Sequence, residues 1–188
     1  MKNISFLLLC SSFVFCAMAS ELEKSLPYRH MMALSESLKK AGEFLECVKD
    51  GNVEKCEEII QERGYLVNKQ VDGDFPPVYW AMKSFKILKY AEKQYKKIID
   101  MMINHEEFNP RSNCIMNRNH DLEGPLDWAL DAELFDTLLP LLRKKEWYSI
   151  HSYDFLQKAQ PLMDQFSPQV RTILAEKIRR EQIMVCTE

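Results

Sequence analysis

The chain has 188 residues with 25 basic and 28 acidic side chains and a formal net charge of −3. That near-balance excludes a polycationic nucleic-acid or membrane-surface binder, and a hydrophobic content of 46% excludes a disordered chain. Only 5 residues are glycine, while lysine, glutamate, leucine, isoleucine and methionine abound, which is a helical composition.

In chain order, Met1-Lys2-Asn3 precedes an apolar stretch from Ile4 to Ala17, and Ala17-Met18-Ala19 supplies small residues before a cleavage point at Ser20. Residues 1–19 therefore read as a secretory signal peptide. The apolar run is too short to span a bilayer, and no later segment reaches the roughly 20 apolar residues of a membrane helix. Cleavage would leave 169 residues with 24 basic and 28 acidic side chains, periplasmic or secreted and with no integral membrane association.

Leu34, Leu38, Ala41 and Leu45 form a helical stripe and predict an N-terminal capping helix over 20–42. A helical hairpin starts at Glu43. Cys47-Val48 ends its first helix, Asp50-Gly51-Asn52 turns the chain, and Val53, Cys56, Ile59 and Ile60 make the inward stripe of its second helix. Antiparallel helices would bring Cys47 and Cys56 face to face, either as a disulfide or as two small apolar core residues. Cys114 and Cys186 complete the four cysteines of the exported part, which allow three pairings.

Asp72-Gly73, between Gln70-Val71 and Phe75, is a hairpin-turn signal for a projecting finger, with Asp72 a candidate contact residue. Pro77-Val78-Tyr79-Trp80-Ala81-Met82 then opens a helix with proline at its first position. Lys83, Lys86, Lys89, Lys93, Lys96 and Lys97 follow at steps that place most of them on one face of a lengthened helix, with Phe85, Leu88 and Tyr95 on the other. Lys86, Lys89, Tyr90 and Lys93 form a mixed aromatic and basic patch. It is read as a solvated face or as a surface for an acidic protein partner, and one patch on an acidic chain gives no case for nucleic acid.

Cys114 and His120-Asp121 fall in the connection from Pro110 to Glu123. Nucleophilic chemistry would require Cys114 and His120 side by side with a third orienting group. Pro125-Leu126-Asp127-Trp128-Ala129-Leu130 repeats the template opened at Pro77, Asp131-Ala132-Glu133 is the turn, and Phe135, Leu138, Leu141 and Leu142 form the returning stripe. Trp80 and Trp128 share one template position, which reads as repeat-core packing. Trp147 and Tyr148 follow as candidates for a finger tip or a seal against the cap. A helix over Tyr153 to Met163 and another opened by Ser167-Pro168, with Val170, Ile173, Leu174 and Ile178 inward, make a C-terminal cap over 151–188. No CxxC, HExxH, GxSxG or phosphate-cradling loop occurs, so neither metal nor cofactor is expected.

The starts at 43, 77 and 125 are separated by 34 and 48 residues, against a period of about 33 for ankyrin repeats. Pro77-Val78-Tyr79-Trp80-Ala81 and Pro125-Leu126-Asp127-Trp128-Ala129 resemble the Thr-Pro-Leu-His-x-Ala core of that family at proline, the aliphatic residue and alanine. Pro76 and Gly124 stand in place of its threonine, and Tyr79 and Asp127 in place of its histidine. Gly51-Asn52-Val53-Glu54-Lys55-Cys56 is similar to the family's second-helix opening. The resemblance covers residues 43–150. It implies an all-α, short ankyrin-like helical-hairpin solenoid of about three repeats with helical caps, and an exported, non-catalytic module that binds a protein partner. Two alternatives stand beside it: a small helical-bundle hydrolase or redox protein using Cys114 and His120, or a periplasmic inhibitor or immunity-like protein.

Overall fold

The computed structural model describes residues 26–71, 74–116, 122–144 and 152–185. Residues 1–19, read above as a signal peptide, and Asp72, His120, Trp147, Tyr148 and Cys186 lie outside the described residues. Contacts divide the chain into two compact units, 1–40 and 41–188.

The described residues are mostly helical. Eight α-helices run α1 (Leu26–Lys49), α2 (Val53–Glu62), α3 (Pro77–Ile87), α4 (Glu92–Asn104), α5 (Pro125–Asp131), α6 (Phe135–Leu142), α7 (Ser152–Ala159) and α8 (Pro168–Val185). A two-residue antiparallel pair, β1 (Ile115–Met116) with β2 (Leu122–Glu123), precedes α5 and sets Ile115 opposite Glu123.

Leu34 and Leu38 are exposed together with Met31 and Met32, while Ala41 and Leu45 in the second unit are buried. α1 runs unbroken through Gly42, and its one proline, Pro27, sits in the first turn, where its missing N–H costs no helix bond.

Within the 41–188 unit, three helices pack on the helix that follows each: the Pro-led α3 on α4, the Pro-led α5 on α6, and α7 on α8. Two further sets of contacts run along the chain, α2 to α4 to α6 to α8 and α3 to α5 to α7. One apolar core joins them, with Phe44, Ile98, Ile99, Met102, Leu138, Leu141 and Leu174 among its fully enclosed side chains.

The turns explain why the hairpins close so tightly. After α1 the Asn52 N–H donates to the Cys47 carbonyl at 2.9 Å and the Gly51 N–H to that of Val48 at 3.2 Å. Gly51 adopts the left-handed φ of 67°. These bonds form a Schellman ending that satisfies two of the carbonyls a helix leaves open. Asn52 then caps α2, its Oδ1 accepting from the Lys55 N–H at 3.0 Å. The turn after α5 repeats the scheme: Leu134 N–H to the Ala129 carbonyl at 2.8 Å and Glu133 N–H to that of Leu130 at 3.0 Å. There Glu133 takes the left-handed place with φ 58°. Cys47, Gly51, Val53 and Cys56 are thus equivalent to Ala129, Glu133, Phe135 and Leu138.

The middle hairpin differs. Rather than one long helix, α3 stops at Ile87, a 3₁₀ turn covers Lys89–Ala91, and α4 begins at Glu92. The Leu88 N–H caps back to the Ser84 carbonyl at 2.7 Å. Helices of 11 and 13 residues replace the 7 and 8 of α5 and α6, so the extra sequence lengthens both arms. At the other end, the helix expected over Tyr153 to Met163 is α-helical only to Ala159 and continues as a 3₁₀ segment through Gln165. Pro161 lacks the N–H that an α-helix would need there. Ser167 caps α8 through its Oγ, which accepts from the Val170 N–H at 3.4 Å, as its sequence position implies.

The connection before α5 is anchored by asparagines. Asn68 Oδ1 accepts from the Asn109 N–H at 2.7 Å and from Asn113 Nδ2 at 2.9 Å, and Asn113 is fully buried.

Gly51→Ala should lower the urea midpoint by the equivalent of about 1–2 kcal/mol, since a β-carbon is strained at positive φ and would sit 3.2 Å from Tyr95 Cζ. Glu133→Gly, which relieves the same strain at the equivalent turn, should leave the midpoint unchanged or raise it. Equal losses in both variants would contradict this assignment of the turns.

Candidate functional site

The first residues of α3 carry an aromatic surface. Proline at position 77 supplies the fixed φ that starts a helix, and the chain entering it brings Asp74 and Phe75 beside the first turn. Phe75 stacks on Tyr79 with ring centroids 4.4 Å apart, and Tyr79 meets Trp80 edge-on at 5.7 Å and Trp128 of α5 at 5.1 Å. Offset and edge contacts of this kind suit the aromatic quadrupole. Two ammonium groups flank the Trp80 indole, Lys49 Nζ 5.1 Å and Lys83 Nζ 5.0 Å from a ring centroid, with Lys83 also 5.4 Å from Tyr79.

Asp74 holds this arrangement. Its carboxylate accepts from the Trp80 indole N–H at 2.6 Å, from Lys49 Nζ at 2.7 Å and from the Phe75 N–H at 2.8 Å. Burial works to raise the Asp74 pKa, but the donors of Lys49, Trp80 and Phe75 outweigh it and hold the carboxyl below its usual range. Lys49 moves the other way, raised chiefly by its hydrogen bond to Asp74.

The two tryptophans of the shared template position are not alike. Trp128 is only 6% exposed, and its Nε1 finds no acceptor among the described residues. Trp80 is half-buried and tied to Asp74. Repeat-core packing describes Trp128, whereas Trp80 belongs to a partly open surface. Composition and spacing gave no sign of this difference, which depends on the acceptor entering the helix: Asp74 before Trp80, and Leu122 at the matching distance before Trp128.

The predicted lysine face is corrected. The break at Leu88 divides the six lysines between α3, the 3₁₀ turn and α4, so they do not share one helical face. Lys86 pairs with Asp131 at 2.7 Å, Lys89 with Glu92 at 2.7 Å, and Lys97 with Glu57 at 3.9 Å. Lys96 lies 2.5 Å from Asp100 and 3.0 Å from Asp136; burial works to lower its pKa, but those carboxylates raise it. Tyr95, expected on the apolar side, is buried and donates its hydroxyl to the Lys49 carbonyl at 2.7 Å. Tyr90 is 88% exposed at the tip of the lengthened hairpin, next to exposed Ile87, and Lys93 is exposed on α4.

Cys114 is half-buried, its thiol donating to the Pro110 carbonyl at 3.3 Å. Burial, followed by the negative charge of Asp127, pushes its pKa up to about 11. Such a thiol is protonated at neutral pH and is a poor nucleophile. Among the described residues no group of three or more His, Cys, Asp or Glu side chains could hold a metal ion. No helix of the described residues is long and apolar enough to cross a membrane. Comparison with protein-family models, with curated proteins and with solved structures finds no match.

Asp74→Ala should cost about 1–2 kcal/mol, a charged hydrogen-bond set discounted for the solvent that reaches it, and should shift tryptophan emission to the red. Because the folded carboxyl titrates below the unfolded one, its contribution is complete above about pH 4 and is lost as pH falls through the folded pKa. The raised Lys49 sets the opposite limit, a contribution complete below about pH 10 and lost as pH rises through its folded pKa. Denaturant titrations of both proteins from acid to neutral pH check this; a stability gap that widened in acid would refute it.

Proposed function

We propose that this chain is an exported, ankyrin-like helical-repeat module that binds a protein partner without catalysis. The observation that carries the reading is the repeated Schellman turn at Gly51 and Glu133, with helices contacting every second helix along the chain. Stacked hairpins of one design, each contacting its neighbours, are the physical content of a repeat array, and such arrays bind along an extended surface of loops and helix faces. The short β1–β2 pair before α5 and the bond from the Asp74 N–H to the Val71 carbonyl before α3 support a finger ahead of each of these hairpins.

The surface assigned to the partner is the group Phe75, Tyr79, Trp80 and Lys83. It sets Tyr79 and Trp80, side chains of the kinds enriched in interface hot spots, in a partly open setting beside the Lys83 ammonium. The lengthened tip with Ile87, Lys89, Tyr90 and Lys93 is the second candidate surface. Cys114 offers little to the hydrolase or redox alternative, given its raised pKa. The signal-peptide pattern of residues 1–19 supports a periplasmic or secreted location.

Affinity purification of the tagged chain from its native compartment tests the reading. A partner should co-purify with the wild type and be reduced roughly 10-fold or more by Tyr79→Ala or Lys83→Glu, as for a hot-spot contact, with the circular dichroism unchanged. Lys86→Glu with Lys89→Glu should have a smaller effect, because both lysines already face carboxylates of the chain itself. Recovery of no partner, or of one indifferent to the aromatic variants, would end this assignment.

A further inference from the structure

We infer that Cys47 and Cys56 form an intramolecular disulfide that locks the first hairpin when the chain folds in an oxidising compartment. The two sulfurs approach to 2.7 Å across the antiparallel helices α1 and α2, nine positions apart in sequence. Bonded sulfurs lie at about 2.0 Å, so the pair stands well under 1 Å from bonding distance. Both side chains are buried. The Schellman ending at Gly51 and the Asn52 cap fix the two helix ends on either side of the pair, so its register is set by backbone bonds rather than by the sulfurs.

The third hairpin shows that packing does not require cysteines here. Its equivalent positions hold Ala129 and Leu138, both buried, around the same turn. A small and a large apolar residue close that hairpin, whereas the first places two thiols against each other.

The chemistry is a thiol–disulfide exchange. A thiolate of the pair attacks the disulfide of an oxidant, such as oxidised glutathione or a disulfide-carrying oxidoreductase, releasing one of its thiolates, and the second thiolate attacks the protein sulfur of the resulting mixed disulfide and expels the other. Two protons and two electrons leave the pair, the Cys47–Cys56 bond forms, and the oxidant departs as two thiols. The step belongs to folding rather than to the finished protein. Once packed, the Cys56 thiol is held far above its usual pKa by its contact with Cys47 and by burial, so it supplies no thiolate. The nine-position spacing makes the pair a local contact that meets early, before the core closes over it. The bond formed this way is then shielded from reductant by the same core. The inference shares only the export expectation with the partner-binding reading.

The full chain is unfolded, reduced and refolded in a glutathione redox buffer, blocked with iodoacetamide in denaturant, and digested with trypsin without reduction. Cleavage after Lys40, Lys49, Lys55 and Arg63 puts the cysteines in the separate peptides 41–49 and 56–63. These should appear as one linked species that reduction splits. Both peptides alkylated separately, or either linked to another cysteine, would overturn the inference. Phosphine reductant should leave the link intact in native buffer and open it in urea; opening in native buffer would overturn the shielding by the core. Reduction in urea followed by refolding under reducing conditions should lower the Tm of the wild type, while Cys47→Ala/Cys56→Leu, copied from the third hairpin, should fold with a Tm insensitive to this treatment. A wild-type Tm equally insensitive would count against the bond. Material recovered from the exporting compartment must carry the same linked species; exported protein with both thiols free refutes the inference, whereas failure of the chain to be exported refutes the location and leaves the refolding result to judge the pair.

Discussion

A helix that ends in the protein interior must dispose of its last carbonyls, and in this chain that requirement governs how the hairpins are built. At Gly51 and at Glu133 one left-handed residue lets the next two N–H groups fold back on the helix just finished. The following helix begins within two residues and has no freedom but to return antiparallel. Cross-hairpin neighbours follow from that restriction: Cys47 meets Cys56, and Ala129 and Leu138 occupy the matching places. The turn chemistry therefore fixes the register of two hairpins before any long-range packing is considered. Glu133 shows that the geometry is enforced by the surrounding bonds, because a glutamate accepts a conformation that a glycine would adopt without strain.

The same hairpin plan accommodates a surface because polar groups are paired locally. Asp74 collects three donors at the entrance to α3, and this permits a carboxylate, an ammonium and an indole N–H to sit together in partly buried surroundings. Without Asp74, Lys49 and Trp80 would each lose a hydrogen-bond partner. Trp128, which has no such carboxylate at its own helix entrance, has gone into the core instead. The difference between a tryptophan that packs and one that faces outward thus rests on a single acidic residue six positions ahead of Trp80.

Much of the hairpin design was legible in the sequence. The alignment of Cys47, Gly51, Val53, Cys56, Ile59 and Ile60 with Ala129, Glu133, Phe135, Leu138, Leu141 and Leu142 corresponds, turn for turn, to equivalent hydrogen bonds. Both Pro-led helices begin where proline indicates. The lysine-rich stretch was misread because helical spacing is blind to a break that has neither glycine nor proline. Leu88 leaves the helix under the pull of tertiary packing, with Ala91 and Tyr95 buried just beyond it. The exposed Leu34 and Leu38 mislead for a different reason, since periodicity reports an apolar stripe but not whether anything covers it. Of the candidate site, Tyr90, Lys86, Lys89 and Lys93 were singled out by composition, while Phe75, Tyr79, Asp74 and Lys83 are grouped by contacts between the entering chain and the first turns of α3. No spacing rule encodes that meeting.

The three hairpins turn the chain in two different ways. The first and third have short connections because a Schellman ending lets the next helix begin within two residues. The middle one closes through a 3₁₀ segment, which tolerates added turns on both arms, and α4 is held from two sides, by α2 and by α6. An element braced on both sides can extend beyond its neighbours without losing its base, and the extension carries Ile87 and Tyr90 into solvent. The middle hairpin thus carries both the aromatic surface at its entrance and the exposed tip at its far end.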